Sequence, residues 1–270
     1  MTTTFRDRPG HPPRLTVTDL TKSFVLHAID ARRIPSLEGV SLQVGADEHV
    51  ALAGSSGAGK SSLLRCVYRT YLPDSGRVVL HRGTAEEPDD VELTALDDRS
   101  MARLRGLDIG YVSQFLHAPP RTGPRDVVCA AALRRGLDRT EAEEASAHAL
   151  RALGIDETLW DVDCAVLSGG ERQRINLAAG TVHPPRLLLL DEPVSALDPA
   201  NRERALQHVE RLRSHDVAIL AVYHDMEVIR RLADRVVVLA GGVVVADGDP
   251  ADVLAGGHPA LASAGAEVIA

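Results

Sequence analysis

The sequence predicts an α/β protein with a strand–helix core and an inserted α-helical block. Three observations predict it. Short apolar runs alternate with helix-like stretches at both ends of the chain. A glycine-rich segment, Gly54 to Ser61, directly follows one such run. Between about 115 and 185 the strand signals give way to residues rich in Ala, Arg and Glu, which favour helices. With 270 residues, 44% of them apolar, the chain can bury a sizeable core, and general disorder is excluded.

The elements follow in order. Residues 1–13 are polar and proline-bearing, a loose tail. Leu15 to Leu20 and Val40 to Val44 alternate apolar and polar, as half-buried strands do. Val50 to Ala53 is a fully apolar strand, and Ser61 to Tyr71 reads as a helix with Leu63, Leu64 and Val67 on one face. Pro73 to Gly76 is a turn before a strand at Arg77 to Leu80, and 83–98 is an acidic loop with a short strand or turn near Val91. Ile109 to Val112 is a strand, Val127 to about Leu153 is helical, and a third helix runs from Gly170 to Ala179. Leu187 to Leu190, Val217 to Val222 and Arg235 to Leu239 return to strand character, and 256–270 reads as a frayed tail.

Charge and cysteine usage narrow the classes. A formal net charge of −8 gives no support to a nucleic-acid coat or a polybasic membrane anchor, so an anionic ligand needs a local site. Cys66, Cys129 and Cys164 lie far apart without metal-ligand spacing, which fits a reducing compartment. No run approaches the roughly 20 apolar residues of a membrane span, and the N-terminus lacks a signal-like apolar stretch. A cytoplasmic location is expected. The basic residues are 28 Arg and only 2 Lys, Lys22 and Lys60. A Lys surviving in so Arg-rich a chain points to a position that needs a compact ammonium.

Gly54-Ser55-Ser56-Gly57-Ala58-Gly59-Lys60-Ser61 matches the phosphate-binding loop, with an apolar strand before it and a helix after it. Glycines let successive N–H groups turn inward around a phosphate, and the helix N-terminus adds favourable charge. Lys60 would reach the β- and γ-phosphates, and the Ser61 hydroxyl would ligate Mg²⁺. A glycine turn with an accidental Lys-Ser is the bland alternative. Leu187-Leu188-Leu189-Leu190-Asp191-Glu192 places two carboxylates at the C-terminal end of a doubly buried strand, where open α/β sheets bind ligands. Asp191 would hold Mg²⁺ and Glu192 would polarise the attacking water. Taken alone, an apolar strand ending in Asp-Glu is common, and a capping role is the better reading; paired with the phosphate loop it becomes a nucleotide-hydrolysis site.

Leu167-Ser168-Gly169-Gly170-Glu171-Arg172-Gln173-Arg174 resembles the signature segment of ATP-binding-cassette ATPases. The phosphate loop, Gln114, this signature, Asp191-Glu192, Ser195 to Asp198 and His224 follow in that family's order, and the resemblance covers about residues 15–250. It implies a P-loop NTPase fold of ABC type, a mostly parallel sheet core with an antiparallel β part and an inserted α-helical subdomain, in one ATP-binding domain, 14–250, with the helical subdomain at about 115–185 and flexible tails at 1–13 and 256–270. It implies ATP and Mg²⁺ as cofactors. Nucleotide contacts would come from Gly54, Ser55, Ser56, Gly57, Ala58, Gly59, Lys60, Ser61 and Ser62, and from Ser168 and Gly170 acting on a partner's nucleotide. Glu192, His224 and Gln114 would be catalytic, and Ser61, Gln114 and Asp191 would ligate Mg²⁺. Phe24 is the best-placed aromatic for stacking adenine, with a core role as its alternative. Two such domains would pair head to tail, as a homo- or heterodimer, with Asp198 reaching across.

Several stretches also resemble one branch, the ATP-binding-cassette subunit of the phosphonate carbon–phosphorus lyase system: Phe24 to His27, Ile34 to Leu37, Tyr71 to Gly76, Tyr111 to Leu116 and Thr158 to Trp160. Ala179, Val194 and the prolines of 119–124 depart from the pattern. This resemblance implies an accessory ATPase docked on a lyase core complex. The alternative is the nucleotide-binding subunit of a membrane transporter, with a permease as partner.

Overall fold

The computed structural model describes residues 12–26, 32–83, 86–114, 116, 118–256 and 259–262. The chain divides into two compact units, Met1–Met101 with Ala218–Ala270, and Ala102–Val217.

The first unit opens with β1 (Pro13–Leu26) and β2 (Arg32–Gly45), which pair antiparallel. β3 (His49–Ala53) and α1 (Lys60–Val67) flank the glycine loop. β4 (Ser75–His81) pairs with β1, and β5 (Asp90–Glu92) pairs with β4, which completes the antiparallel part. α2 (Asp98–Leu107) leads into the second unit. There β6 (Ile109–Val112) precedes the helices α3 (Pro124–Arg134), α4 (Arg139–Ala152) and α5 (Gly169–Thr181). β7 (Leu187–Asp191) lies parallel to β6, and α6 (Pro199–Arg211) closes the unit. The chain returns to the first unit with β8 (Ala218–Val222), α7 (Met226–Leu232), β9 (Arg235–Ala240), β10 (Val243–Gly248), α8 (Pro250–Ala255) and α9 (Pro259–Ala262). β3 lies parallel to both β8 and β9, and β10 adds antiparallel to β9.

Every residue of β3, β7 and β8 is buried. Such continuous burial is what strands covered on both faces require, and it explains why, apart from His49 and Asp191 at strand ends, they contain only Val, Leu, Ile and Ala. The predicted helix at 61–71 stops at Val67. Arg69 adopts a left-handed backbone, φ 61°, and the Tyr71 N–H turns back to the Arg65 carbonyl at 3.1 Å. The helical stretch expected over 127–153 is two helices. Gly136 is left-handed between them, and Asp138 and Glu141 form a capping box at the start of α4. Helices α2, α6 and α7 were not anticipated. The predicted C-terminal tail holds α9, whose Leu261 is buried. Most of the predicted N-terminal tail, 1–11, lies outside the described residues. Among the described residues no helix is long and apolar enough to cross a membrane.

One buried ionic cluster ties the first unit together. Arg235, at the start of β9, donates from Nε to Glu48 at 2.8 Å and from Nη1 to both oxygens of Asp247 at 2.8 and 2.9 Å. Its Nη2 reaches the Gln43 carbonyl of β2. Glu48 also accepts from the Gly45 N–H at 2.7 Å. Removing one member of such a set strands the buried opposite charge. Arg235→Ala should therefore lower stability by roughly 3–5 kcal/mol in urea denaturation, and a loss below about 1 kcal/mol would show the cluster to be well hydrated.

Candidate nucleotide site

In the first unit, β3 delivers the chain to Gly54, where φ is +136°. A Cβ there would lie 2.1 Å from the Leu239 carbonyl oxygen of β9. At Gly59, φ is +105° and a Cβ would lie 2.4 Å from the Ser36 carbonyl oxygen of β2. Glycine is required at both positions, for conformation and for space. The loop is braced from outside: the Gly242 N–H donates to the Ala58 carbonyl at 3.2 Å, and the Ser36 hydroxyl donates to Ser62 Oγ at 2.8 Å. Ser56 and Gly57 are exposed, Ser55 and Ser61 half-buried. Lys60 is buried, and its Nζ donates to the Gly54 and Ser55 carbonyls, both at 2.8 Å. The ammonium thus lies inside the curl of the loop, at the N-terminus of α1. A backbone concavity with a fixed cation suits a phosphate chain.

Two further predicted residues lie in this unit. His224 is half-buried between β8 and α7, whose first turn is capped by Asp225 accepting from the Glu227 N–H at 2.7 Å. The preceding Tyr223 is buried and hydrogen-bonded to His49 Nε2 at 3.2 Å. Phe24 is half-buried and not a core residue. It meets Tyr71 edge to face at 5.1 Å, and Lys22 Nζ lies 5.4 Å from its centroid. Lys22 itself latches the turn after α1 through the Leu72 carbonyl at 2.7 Å, so the ammonium there has a structural task.

The second unit holds Gln114, Ser168, Gly170, Asp191, Glu192 and Asp198. Asp191 is the buried last residue of β7, and Tyr111 of β6 donates its hydroxyl to Asp191 Oδ2 at 3.0 Å. Glu192 is half-buried with a left-handed backbone, φ 54°. Gln114 is exposed just after β6, and Asn176 of α5 holds the neighbouring Ser113 carbonyl at 2.6 Å. Ser168 is the N-cap of α5. Its Oγ accepts from the Glu171 N–H at 3.3 Å and donates to Glu171 Oε2 at 2.7 Å, a reciprocal capping box. Asp198 caps α6 through the Ala200 and Asn201 N–H groups, each at 3.1 Å. Tyr111, Gln173 and Asn176 were not anticipated as site residues. Tyr111 lies in an apolar strand and Gln173 and Asn176 in a helix with several polar residues, and only the fold shows what they hold.

The residues expected to hold Mg²⁺ offer hard oxygens that suit it: Ser61 of the first unit a hydroxyl, and Gln114 and Asp191 of the second an amide oxygen and a carboxylate. Among the described residues no group of three or more His, Cys, Asp or Glu gathers to hold a metal. An ion held by few protein oxygens and completed by phosphate is the pattern expected of Mg²⁺ at a nucleotide.

A braced phosphate loop and a buried strand ending in paired carboxylates define a nucleoside-triphosphate-binding ATPase. A family model described as "ABC transporter" matches residues 37–195, and the chain belongs to that family of ATP-hydrolysing cassettes, which act on ATP with Mg²⁺. It is 34% identical over 235 residues to the methionine import ATP-binding protein MetN 2 of Pseudomonas aeruginosa, covering 86% of this chain and 67% of that protein. It is 35% identical over 242 residues to the lipoprotein-releasing system ATP-binding protein LolD of Anaeromyxobacter dehalogenans, covering 89% and 96%. A solved dimeric ATP-binding cassette in a post-hydrolysis state, bound to ADP and Pi, shares the fold with a TM-score of 0.78 at 24% identity, over 87% of this chain and 98% of that one. These comparisons support the expected fold and ATPase activity. The two relatives are named for methionine import and for lipoprotein release, not for a carbon–phosphorus lyase system.

The capping box carries a pH dependence. The Ser168 hydroxyl, followed by its N–H, holds the Glu171 carboxyl below its ordinary value of 4.5. Because the folded value is the lower one, this stabilisation is complete above the unfolded value and is lost as pH falls through the folded one. Glu171→Gln should flatten the loss of thermal stability below pH 4.5. An acid limb identical to the parent's would show that the box adds nothing to pH-dependent stability.

Proposed function

We propose that this chain is the nucleotide-binding subunit of a membrane transporter, which pairs with a second cassette, closes on MgATP and reopens after hydrolysis. The observation that carries the nucleotide part is the phosphate loop, with both glycines sterically required and Lys60 seated in its curl. The transport part rests on the relatives, which are named for import and for lipoprotein release. In this reading residues 54–62 bind the phosphates and Phe24 stacks on adenine. Ser61, Gln114 and Asp191 would ligate Mg²⁺, which offsets charge on the phosphates. Glu192 accepts the proton of the attacking water, and His224 contacts the γ-phosphate. Ser168 and Gly170 act on the partner's nucleotide.

A second reading, the accessory ATPase of a phosphonate carbon–phosphorus lyase, has the same chemistry and a different partner. It is favoured by the run of segments from Phe24 to His27 through Thr158 to Trp160. Affinity purification from detergent-solubilised membranes, and from cells grown on a phosphonate as phosphorus source, separates the two. Recovery of a permease supports transport. Recovery of lyase subunits without a permease overturns it in favour of the second reading.

The nucleotide chemistry has its own tests. Lys60→Arg places a planar guanidinium where the loop admits a compact ammonium, so ATP turnover should be lost, and normal turnover would refute the loop assignment. Glu192→Gln should cut turnover by roughly 10²–10⁴ while ATP stays bound.

Closure is tested at Gly170. A Cβ there meets nothing nearer than 3.7 Å, so Gly170→Asp should fold. Its carboxylate would repel a partner's γ-phosphate. In a Glu192→Gln background, light scattering with and without MgATP should show association that Gly170→Asp abolishes, with the partner cassette added if the dimer is mixed. Association that persists would mean that the signature is not the closing surface.

A further inference from the structure

We infer that Gln173 is a positioning residue for hydrolysis, which fixes the backbone of Glu192 from the signature helix. Gln173 is buried in α5, five residues beyond Ser168. Its Nε2 donates to the Glu192 carbonyl at 2.8 Å, and its Oε1 accepts from the Ala196 N–H at 3.1 Å. One amide therefore spans the turn 192–196 and holds both ends of it. A side-chain amide offers a donor and an acceptor side by side without any change of protonation.

The turn needs such a clamp. Glu192 is a non-glycine residue with φ 54°, a conformation that persists only where neighbours impose it. Within the turn, the Ser195 hydroxyl and N–H also approach the Glu192 carbonyl, at 3.2 and 3.4 Å. These bonds shape the turn but do not tie it to anything else. Gln173 ties it to the helix that begins at the signature. Asn176, three residues on and on the same face, does the same for the Ser113 carbonyl beside Gln114 at 2.6 Å. α5 thus sets the backbone at the exits of both β6 and β7. The direction of the Glu192 side chain follows from its backbone angles, so loss of the clamp misaims a carboxylate that has itself not been changed.

This inference rests on the proposed role of Glu192, and the test keeps the two apart. Gln173→Leu preserves bulk and removes both bonds; Gln173→Glu keeps an acceptor for Ala196 and removes the donor to Glu192. Steady-state and single-turnover hydrolysis of radiolabelled MgATP is measured for both, with the partner cassette present, in wild-type and Glu192→Gln backgrounds, alongside thermal melting. A misplaced catalytic group costs turnover and not binding, so kcat should fall roughly 10- to 100-fold while KM stays within about threefold. In the Glu192→Gln background the same substitutions should cost less than about twofold more, because the group they act through is already gone. Equal fold losses in both backgrounds, a rise in KM in place of the loss in kcat, or unchanged turnover would overturn the proposal. Near-normal turnover by Glu192→Gln alone would overturn the role of Glu192 and this proposal with it, a result distinct from a failure at Gln173. Should Gln173→Leu melt below the assay temperature, Gln173→Glu is read by the same criteria.

Discussion

A loop that turns its N–H groups toward an anion cannot be held by those same groups, so it must be held from behind by other parts of the chain. At residues 54–59 this is done by backbone pressed against backbone. The Leu239 carbonyl fills the space beside Gly54, and the Ser36 carbonyl fills the space beside Gly59. Leu239 is in that place because β9 runs parallel to β3 with Val238 beside Ala53. A slip of one residue in that pairing would exchange the faces of β9 and move the carbonyl away. The turn after β9 adds Gly242, which bonds Ala58 and whose carbonyl accepts from the Glu38 N–H of β2 at 2.8 Å. Strand register across the first unit is thereby a condition for the shape of the phosphate loop.

α5 plays the corresponding part in the second unit, through side chains. Gln173 and Asn176 hold the strand exits. The buried Arg174 donates to the Leu153 and Gly154 carbonyls at 2.9 and 2.6 Å, which fixes the end of α4. Arg135, the C-cap residue just after α3, satisfies the carbonyls of Ala179, Gly180 and Val182 at the other end of α5. Unpaired helix-end carbonyls and buried loop carbonyls are costly. Long polar side chains remove both costs at once and make α5 the common support of its surroundings.

That arrangement also explains what could be read in advance. The apolar runs at 50–53, 187–190 and 217–222 announced buried strands because burial on both faces leaves no polar position. The glycine loop was legible because its chemistry is local. α5 is buried on nearly every side, polar positions included, so its apolar pattern says little and the task of Gln173 stays hidden until the turn at 192–196 is beside it. α2 anchors by Met101 and Leu104 alone, and α7 has only seven residues, too few for a helical period to emerge. α6 carried a start signal in Asp198-Pro199, but its buried residues, Ala205, Leu206 and Val209, make a weak stripe. The partner surface was the least legible, because docking on a permease or on a soluble complex requires nothing of the phosphate chemistry.

The start of α5 sets a threshold for closure in the proposed cycle. A free helix N-terminus attracts anions, but here the Glu171 carboxylate already takes the Ser168 N–H and hydroxyl, at 2.8 and 2.7 Å. Weak anions gain little by approaching an end that carries its own counter-charge. In that cycle a partner's γ-phosphate that accepts from the Ser168 hydroxyl would displace it from Glu171, and weakening such a cap costs up to about 1 kcal/mol. Several charge-assisted bonds to a triphosphate exceed that cost, whereas a diphosphate brings no γ-oxygens to make them. In the proposed cycle the capping box would therefore also favour the open state once hydrolysis is complete.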